Sequence, residues 1–452
     1  MQMPNQDIHI LQFGTGNFLR AFFEPMVQTL NKKNIPLNIC MIQSTGGKTL
    51  DKLKAQNFHY HVCEAGIKNG EKVQEIQKIT CVREGLDLPK DNEKFLDLAS
   101  NPQVKWIISN VTEAGMVWKE EGLLEEFAES FAGRIAQWLI RRFERLSETE
   151  TVLLPCELIP NNGDLLKEFV VKHARRWNQS PEFFSWLDRK VYFFNNLVDR
   201  IVPGFPNRLD LKEKENDALV VQTEPYSFWA IEGKKEQSPL LPFLKADSQV
   251  VLEEDIQGFS LRKIRILNGC HTYIAAKGIM TGYQTVREFI SDKKNLSILN
   301  EMVEKEIIPY LGMDLNELKS YKEEIFARFA NPFVDHRLED ILLNSTAKFK
   351  SRLLPLFLPF SQKNEGIYPK EICKGLIYLL HFYLQNPNQV RETSAVTSLL
   401  AEVPRELSSK EKIMWVTKNL FGLKWNPGLE QAFLDITSVN LAFIQNPNRQ
   451  HI

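Results

Sequence analysis

Residues 8–21 read IHILQFGTGNFLRA, and this stretch predicts the fold of the first half of the chain. An apolar run suited to a buried strand meets a turn with two glycines, Gly14 and Gly16, and a helical pattern continues to about residue 31. Strand, glycine turn and helix in this order open a dinucleotide-binding unit, where backbone N–H groups approach a pyrophosphate at the helix N-terminus. Leu19 occupies the place of the third glycine of the usual fingerprint, so the prediction depends on this context as much as on the glycines.

The segment after the predicted second strand bears on the choice between NAD and NADP. That strand, Leu37 to Ile42, is followed by Gln43-Ser44-Thr45-Gly46-Gly47-Lys48, which has no acidic residue for the ribose hydroxyls and no arginine for a 2′-phosphate. Gln43 or Thr45 can hydrogen-bond the ribose, whereas Lys48 can assist NADP. The sequence leaves this choice open.

Further strands with intervening helices predict an open α/β sheet up to about residue 257. The predicted strands are Val104 to Val111, Thr151 to Leu158, Val191 to Phe194, 218–223 and 249–256, and a long amphipathic helix is predicted from Leu123 to Leu146. Two polar turns follow strands in this region, Ser109 to Gly115 and the pair Asn195-Asn196. Such turns either connect elements or line the edge at which open sheets bind ligands.

From about residue 258 helical periodicity dominates, punctuated by prolines. The sequence therefore predicts an N-terminal Rossmann-type α/β domain over 1–257 and a mainly α-helical domain over 258–452. Ligand sites often lie at the boundary between two domains. A nicotinamide held by the first domain can then meet the residues that open the second.

Those opening residues are Lys263-Ile264-Arg265-Ile266-Leu267-Asn268-Gly269-Cys270-His271. At about 100° per residue, Asn268 lies roughly 140° and His271 roughly 80° round a helix from Lys263, among apolar neighbours, with Arg262, Arg265 and Gly269 on the opposite, solvated face. Desolvation lowers the pKa of a lysine, so this trio suits proton transfer beside groups that hold oxygens. The alternative is a lysine that reaches solvent and a satisfied core histidine.

Composition excludes several classes of protein. The chain has 452 residues, 43% of them hydrophobic and 25% charged, with a net charge of −1, which gives no field for nucleic acid or an anionic membrane. No apolar run approaches the roughly 18–20 residues that span a bilayer, and the N-terminus lacks signal-peptide features. The six scattered cysteines are interpreted as reduced thiols. We expect a cytoplasmic enzyme that acts on a small molecule as a monomer or small homo-oligomer, with no nucleic-acid or membrane partner.

Four motifs together resemble the polyol-specific long-chain dehydrogenases, the mannitol dehydrogenase family. They are Gly14-x-Gly16-Asn17-Phe18-x-Arg20-Ala21, Thr112-Glu113-Ala114-Gly115, Asn195-Asn196-Leu197-Val198-Asp199-Arg200-Ile201 and Lys263-x4-Asn268-x2-His271. Segments around Arg265–Gly269, Asn344–Lys350 and Pro359–Asn364 are most similar to the hexuronate-reducing members.

This resemblance implies an NAD-linked, metal-independent hydride transfer between a hexuronate ketone and its alcohol. It implies Lys263 as general acid/base, Asn195 and Asn268 as an oxyanion pocket, and His271 as a residue that orients the substrate. The residues expected to bind NAD are Gln12, Phe13, Gly14, Thr15, Gly16, Asn17, Phe18, Leu19, Arg20, Ala21, Gln43, Asn110, Thr112 and Glu113.

Two positions depart from mannitol dehydrogenases, which carry a glutamate where Ser260 stands and an arginine where Asp340 stands. The change at Ser260 bears on the proton relay of those enzymes, whereas the change at Asp340 disfavours a neutral polyol, and the substrate is expected to carry a carboxylate. Asn344, Lys348 and Arg352 share one helical stripe, so Lys348, then Arg352, with His336 third, are expected to hold its carboxylate, unless the stripe is a solvated basic face. Alternatives are a sister enzyme for another hexuronate or a neutral polyol, and a catalytically silent NAD sensor.

Overall fold

The computed structural model describes residues 7–44, 46–68, 70–112 and 114–444. The chain forms two compact units, one ending at Gln257 and the other beginning at Gly258. The prediction of a Rossmann-type α/β domain followed by a mainly helical one is confirmed. No helix within the described ranges is both long enough and apolar enough to cross a membrane.

The first unit is built on a parallel sheet. Its strands are β1 (Ile10–Phe13), β2 (Ile39–Gln43), β3 (Tyr60–Lys68), β4 (Glu71–Ile79), β5 (Val82–Asp87), β6 (Trp106–Ser109), β7 (Thr151–Pro155), β8 (Val191–Phe193), β9 (Asn196–Asp199), β10 (Val221–Thr223), β11 (Phe228–Glu232) and β12 (Val250–Glu253). Six of them form the main sheet in the order β5-β2-β1-β6-β7-β8, with every neighbouring pair parallel. The order reverses between β1 and β6, and open α/β sheets bind ligands at such a switch point.

Helices cover both faces of this sheet. They are α1 (Asn17–Lys32), α2 (Thr49–Ala55), α3 (Asn92–Asp97), α4 (Phe131–Leu146), α5 (Asn162–Arg176) and α6 (Pro181–Lys190). Along β1 the side chains alternate, because Ile10 packs into the apolar cluster under α1 while Leu11 and Phe13 pack into the one under α4. Burial on both faces explains why the strand reads as a continuous apolar run.

Several predicted boundaries were wrong. The predicted strands exist but are shorter, and the strands of two three-stranded sheets, β10-β3-β4 and β12-β11-β9, were largely missed. The helix predicted from Leu123 begins only at Phe131, because the Ser130 hydroxyl caps it by accepting from the N–H of Gly133. The Glu121 carboxylate also accepts from the N–H of Ser130, at 2.6 Å, which holds the preceding residues as a loop.

Helix α1 contains a proline, and a side chain from outside the helix replaces the backbone hydrogen bond that the proline removes. Pro25 has no N–H for the carbonyl of Ala21, four residues earlier. Arg200 supplies the missing donor, since its NH1 donates to that carbonyl at 2.8 Å. The same guanidinium pairs with Glu64 at 2.6 Å and is itself buried. Arg200 thus stabilises the helix that follows the glycine turn.

The second unit is helical. Its helices are α7 (Gln257–Arg262), α8 (Gly269–Met280), α9 (Val286–Ser291), α10 (Lys293–Met302), α11 (Leu315–Phe329), α12 (Leu338–Ile341), α13 (Ser345–Arg352), α14 (Phe357–Lys363), α15 (Lys370–Gln385), α16 (Ser394–Ala401), α17 (Ser409–Phe421) and α18 (Pro427–Ile444). Helix α8 is buried from Gly269 to Gly278. Gly375 lets α15 approach it closely, because a Cβ there would lie 2.8 Å from the ring of Tyr273. The six cysteines of the chain are all buried free thiols.

Candidate functional site

The glycine turn after β1 forms an open cradle. Gly14 has φ +116°, a conformation that favours glycine, and a Cβ there would lie 3.1 Å from the backbone oxygen of Asn110. A Cβ on Gly16 would meet nothing within 4 Å, so the surface above it is open. Gly16 is also the N-cap of α1, and no side chain of the described residues caps this helix. Its first N–H groups therefore suit the pyrophosphate of a dinucleotide.

Several of the residues expected to bind the cofactor support this cradle from within the unit. The side chains of five of them are buried in the unit: Gln12, Phe13, Leu19, Arg20 and Ala21. The side-chain amide of Gln12 donates to the carbonyl of Gly14 at 3.0 Å. Arg20 donates to the carbonyl of Thr15 at 3.1 Å and to the side-chain oxygen of Asn17 at 2.6 Å. The exposed part of the motif is Gly16 and Asn17, whereas Gly14, Thr15 and Phe18 are half-buried.

The end of β2 has an acidic neighbour that sequence reasoning missed. Gln43 holds the following loop, because its amide nitrogen donates to the carbonyl of Gly47 at 3.3 Å and its oxygen accepts from the N–H of Leu50 at 3.2 Å. The same nitrogen donates at 3.2 Å to Asp87, which lies 44 residues later at the end of β5. A carboxylate thus lies beside the end of β2, where the ribose of a dinucleotide is read. Lys48 is exposed, and Thr45 lies outside the described residues.

Residues that follow β7 hold the turn after β6 in place. The buried carboxylate of Glu157 accepts from the N–H of Val111 at 2.8 Å and from the hydroxyl of Ser109 at 3.1 Å, and burial raises its pKa. Asn110 donates to the carbonyl of Cys156 at 2.8 Å. Thr112 is exposed and has φ +71°, a strained conformation of the kind that clusters at ligand sites. Glu113 lies outside the described residues.

The side chain of Asn195 makes three hydrogen bonds to described residues of the first unit. Its Nδ2 donates to Asp164 at 3.0 Å and to Glu232 at 2.6 Å, and its oxygen accepts from the N–H of Asp164 at 3.0 Å. An amide has two N–H protons, and both are engaged here. To serve as an oxyanion donor, Asn195 has to release one carboxylate.

In the second unit, Lys263–Asn268 form a π-helical turn between α7 and α8. The prediction of a regular α-helix was therefore wrong. A π-bulge absorbs one extra residue, because i→i+5 hydrogen bonds replace the usual ones. The spacing i, i+5, i+8 then behaves as i, i+4, i+7, which brings Lys263, Asn268 and His271 within about 60° of one another around the axis. The π-helical turn therefore places all three side chains on one face.

The face expected to be solvated is packed, so that expectation was also wrong. Gly269 is buried, and so is Arg262, which lies against the rings of Phe259 and Tyr321 and pairs with Glu317 at 2.6 Å. Guanidinium groups can be buried when carboxylates, carbonyls or aromatic faces receive their donors. Helical periodicity cannot distinguish such an arginine from a solvated one.

Two arginines join the π turn to α13. Arg265 donates to the carbonyls of Ser351 and Arg352, the latter at 2.8 Å. In return, Arg352 donates to the carbonyl of Asn268 at 3.3 Å and to the hydroxyl of Thr272 at 3.1 Å. Burial lowers the pKa of Arg352 to about 10, so it remains charged at neutral pH. The backbone at Asn268 is held in place by these contacts.

The side chains of Lys263, Asn268 and His271 differ in burial. Lys263 and Asn268 are half-buried, and the side-chain amide of Asn268 makes no hydrogen bond to any described residue. His271 is only 9% exposed, and its Nε2 is buried without a hydrogen-bond partner in the described part of the chain. Its ring centroid lies 4.6 Å from that of Phe329 and 5.0 Å from that of His336. An amide and an imidazole are thus left to bind a ligand.

Cations surround His271. Burial, and then the charges of His336, Arg352, Arg328 and Lys348, hold the pKa of His271 well below its usual value, so the ring is neutral at neutral pH. All three residues expected to bind a carboxylate therefore act on one histidine. Arg328, which is buried, was not singled out in the sequence, because nothing marks its inward direction on an amphipathic helix.

The expected stripe on α13 is only partly correct. Asn344 precedes the helix in a left-handed conformation, with φ +54°, and is exposed. Lys348 is half-buried and donates to the carbonyl of Ile341 at 2.7 Å, and burial lowers its pKa. Asp340 is exposed and lies 3.9 Å from Arg391. Lys348 and Arg352 are the members of the stripe that lie near His271.

Comparisons with known proteins agree with both units. Residues 8–242 match the Mannitol dehydrogenase Rossmann domain, and residues 255–435 match the Mannitol dehydrogenase C-terminal domain. An altronate oxidoreductase of Halalkalibacterium halodurans is 38% identical over 84% of this chain and 76% of its own length. One of Bacillus subtilis is 35% identical over 87% of this chain and 83% of its own length.

Solved structures share the fold at lower identity. A substrate-free D-sorbitol dehydrogenase superposes with a TM-score of 0.71 at 20% identity, covering 94% of this chain and 95% of that one. A Pseudomonas fluorescens mannitol 2-dehydrogenase in ternary complex with NAD and D-mannitol gives a TM-score of 0.68 at 19% identity, covering 97% and 93%.

Proposed function

The chain belongs to the mannitol dehydrogenase family, and from that premise we propose that it interconverts D-tagaturonate and D-altronate with NAD as cofactor. The family makes it a polyol or sugar-acid dehydrogenase with a nicotinamide dinucleotide cofactor and a small-molecule substrate. The narrower proposal draws on the relatives named altronate oxidoreductase, which are 38% and 35% identical to it. Its proposed setting is hexuronate (galacturonate) breakdown in the cytoplasm.

The proposal of a sugar-acid substrate rests on the basic side chains that act on His271. Lys348 and Arg352 come from α13, Arg328 from α11, and all three charges lower the pKa of the buried imidazole. A uronate brings a carboxylate that such cations can bind through charge-assisted hydrogen bonds, each worth roughly 1.5–3 kcal/mol. The hydroxyls of a neutral polyol can accept hydrogen bonds from these cations but bring no opposite charge. Lys348 is the proposed carboxylate ligand, with Arg352 and His336 as further candidates.

The proposed chemistry is hydride transfer coupled to proton transfer. The nicotinamide cofactor, when bound, supplies the hydride with its electron pair to the ketone carbon. Lys263 gives a proton from its ammonium group to the ketone oxygen, so that an alcohol forms, and it takes that proton back in the reverse reaction. The free amide of Asn268 donates to the same oxygen, while Asn195 can add a donor only by giving up one of its carboxylates.

His271 is proposed to orient the substrate. Its neutral ring offers Nε2 to a substrate hydroxyl, because that nitrogen has no hydrogen-bond partner in the part of the chain that the structure describes. NAD is the proposed cofactor because Asp87 adds a carboxylate beside the end of β2, where it suits free ribose hydroxyls and repels a 2′-phosphate. The exposed Lys48 is the feature that favours NADP instead.

The test is NADH oxidation by the purified protein with tagaturonate, fructuronate, fructose and tagatose. Tagaturonate is expected to give the highest kcat/KM. Equal or better reduction of fructose would identify a polyol dehydrogenase, and a preference for fructuronate would identify the sister hexuronate enzyme. NADH binding without turnover of any of the four would favour the silent sensor.

A further inference from the structure

A buried acid lies beneath the cradle for the cofactor. Glu24, in the second turn of α1, is completely buried and faces β1 and β3. One carboxyl oxygen accepts from the amide of Gln12 at 2.9 Å. The other lies 2.5 Å from the hydroxyl oxygen of Tyr60, which in turn lies 2.7 Å from the backbone carbonyl of Arg20.

The number of protons available to these contacts decides whether Glu24 is neutral or ionised. The Tyr60 hydroxyl has one proton but two close acceptors, the Arg20 carbonyl and the Glu24 carboxyl. A backbone carbonyl brings no proton, so the second bond needs one on Glu24. A neutral Glu24 donates to Tyr60 and Tyr60 donates to Arg20, so both of these contacts have a proton. Burial independently raises the pKa of Glu24 to about 7, against the lowering effects of Tyr60, Gln12 and Arg20.

The same network ends on the backbone of the glycine turn. Gln12 uses its second N–H to donate to the Gly14 carbonyl, and its own oxygen is buried without a partner among the described residues, so its position depends on the two bonds it donates. Arg20 donates to Thr15 and Asn17. The shape of the cradle is therefore coupled to the groups around the Glu24 carboxyl.

We propose that Glu24 is a positioning residue for the cofactor: its neutral form holds the turn from Gly14 to Asn17 in the shape that receives the pyrophosphate, and its deprotonation weakens cofactor binding. The inference rests on the proposed function. Once the proton is lost, the Tyr60 hydroxyl cannot satisfy both the Arg20 carbonyl and the carboxylate. The new charge also attracts the Arg20 guanidinium away from the turn and opposes an anion at the start of the same helix.

Tyr60 and Cys81, two other ionisable side chains that contact Glu24, have pKa values well above neutral pH. Arg20 shares its helix, and Tyr60 comes from β3 with a pKa held well above its usual value by burial. Cys81, just before β5, donates to the Glu24 carbonyl at 3.6 Å, and burial raises its pKa in the same way. Arg200 donates to Ala21 and is paired with Glu64. Glu24 is thus the titrating group of this network.

The experiment measures the Kd for NADH by fluorescence titration from pH 6 to pH 9. In the wild type, Kd is expected to rise about threefold to tenfold across this range, as one new charge acts at roughly 10 Å. Glu24→Gln mimics the neutral acid, so its Kd should stay near the wild-type value at pH 6 throughout. Glu24→Ala, which leaves a hole, should bind NADH weakly at every pH.

The matched control is Glu306→Gln in the second unit. Glu306 is also buried with a pKa raised to about 7, but it belongs to the second unit, where its carboxylate accepts from the N–H groups of Glu371 and Ile372, so this variant should keep the wild-type pH profile. A flat profile in the wild type, or an unchanged rise in Glu24→Gln with a normal melting temperature, would overturn the inference. Wild-type protein that binds no NADH at any pH would overturn the proposed function and this inference with it.

Discussion

Arg352 has two possible roles that one substitution can separate. It can hold the substrate carboxylate, or it can hold Asn268 in place through its bonds to the Asn268 carbonyl and the Thr272 hydroxyl. Arg352→Met keeps most of the apolar stem and removes both bonds. The first role predicts a higher KM for a charged substrate, whereas the second predicts a lower kcat for every substrate.

The geometry favours the positioning role. At 3.3 Å and 3.1 Å the two bonds are long, so each is worth roughly 1 kcal/mol, near the low end for a charged donor. Thr272 still donates to the Asn268 carbonyl at 2.9 Å, so that carbonyl is not left without a partner. We expect a loss of stability of about 1–2 kcal/mol, and a fall in kcat of about 10–100-fold because Asn268 shifts relative to the reacting oxygen.

The assay is steady-state NADH oxidation with tagaturonate and with fructose, together with thermal unfolding. Lys348→Met is the contrasting variant, and it should raise KM for tagaturonate at least about tenfold, or 1.4 kcal/mol, with little effect on any residual activity toward fructose. Arg391→Met, which removes an exposed cation near α13, should leave both constants within about twofold. An Arg352→Met enzyme with normal kcat and a raised KM for tagaturonate would refute the positioning role.

Three further predictions concern the other candidate residues. Lys263→Ala should lower turnover by roughly 10²–10⁴ with an unchanged Kd for NADH, and near-normal turnover in a folded variant would remove Lys263 from the acid/base role. NADH should be preferred over NADPH, and Asp87→Asn should shift the ratio of kcat/KM toward NADPH by about tenfold; equal efficiencies in the wild type would indicate that Lys48 reaches the phosphate. Burial raises the pKa of Glu306 from 4.5 to about 7, so the folded state binds this proton more tightly and Glu306 costs stability as pH rises through that window. Chemical denaturation should show Glu306→Gln gaining about 3 kcal/mol relative to wild type between pH 4.5 and pH 8, and a constant difference would contradict the burial of a neutral acid.

The parts of the structure that the sequence predicted are those set by neighbours along the chain. The strand, glycine turn and helix of residues 8–31 are encoded locally, because apolar runs, glycines at a turn and helical periodicity each act over a few residues. The change to a helical unit after residue 257 is visible for the same reason. Gly14 illustrates the limit, since its need for a left-handed φ is local but its contact with Asn110 depends on strand order.

What the sequence could not predict depends on pairing between distant residues. Asp87 becomes a neighbour of Gln43 only because β5 pairs with β2. The buried acid Glu24 looks like any polar residue of an amphipathic helix until Tyr60 and Gln12 are placed against it. The π turn has no periodic signature of its own, since a single inserted residue leaves the apolar pattern on either side unchanged.

The contacts between the π turn and α13 set the distance between the proposed carboxylate site and the proposed site of the reacting oxygen. A π-bulge is a rare form of helix, so this turn needs support from outside its own backbone, and Arg265 and Arg352 provide it by bonding carbonyls in both directions. Lys348 precedes Arg352 by one helical turn on α13, so the two side chains lie on the same face of that helix. The rigid helix therefore fixes the separation between a carboxylate held by Lys348 and an oxygen held by Asn268. On the proposed roles of Lys348 and Asn268, a substrate of different length between these two groups would lose one of the two contacts, so we propose that α13 takes part in selecting the substrate.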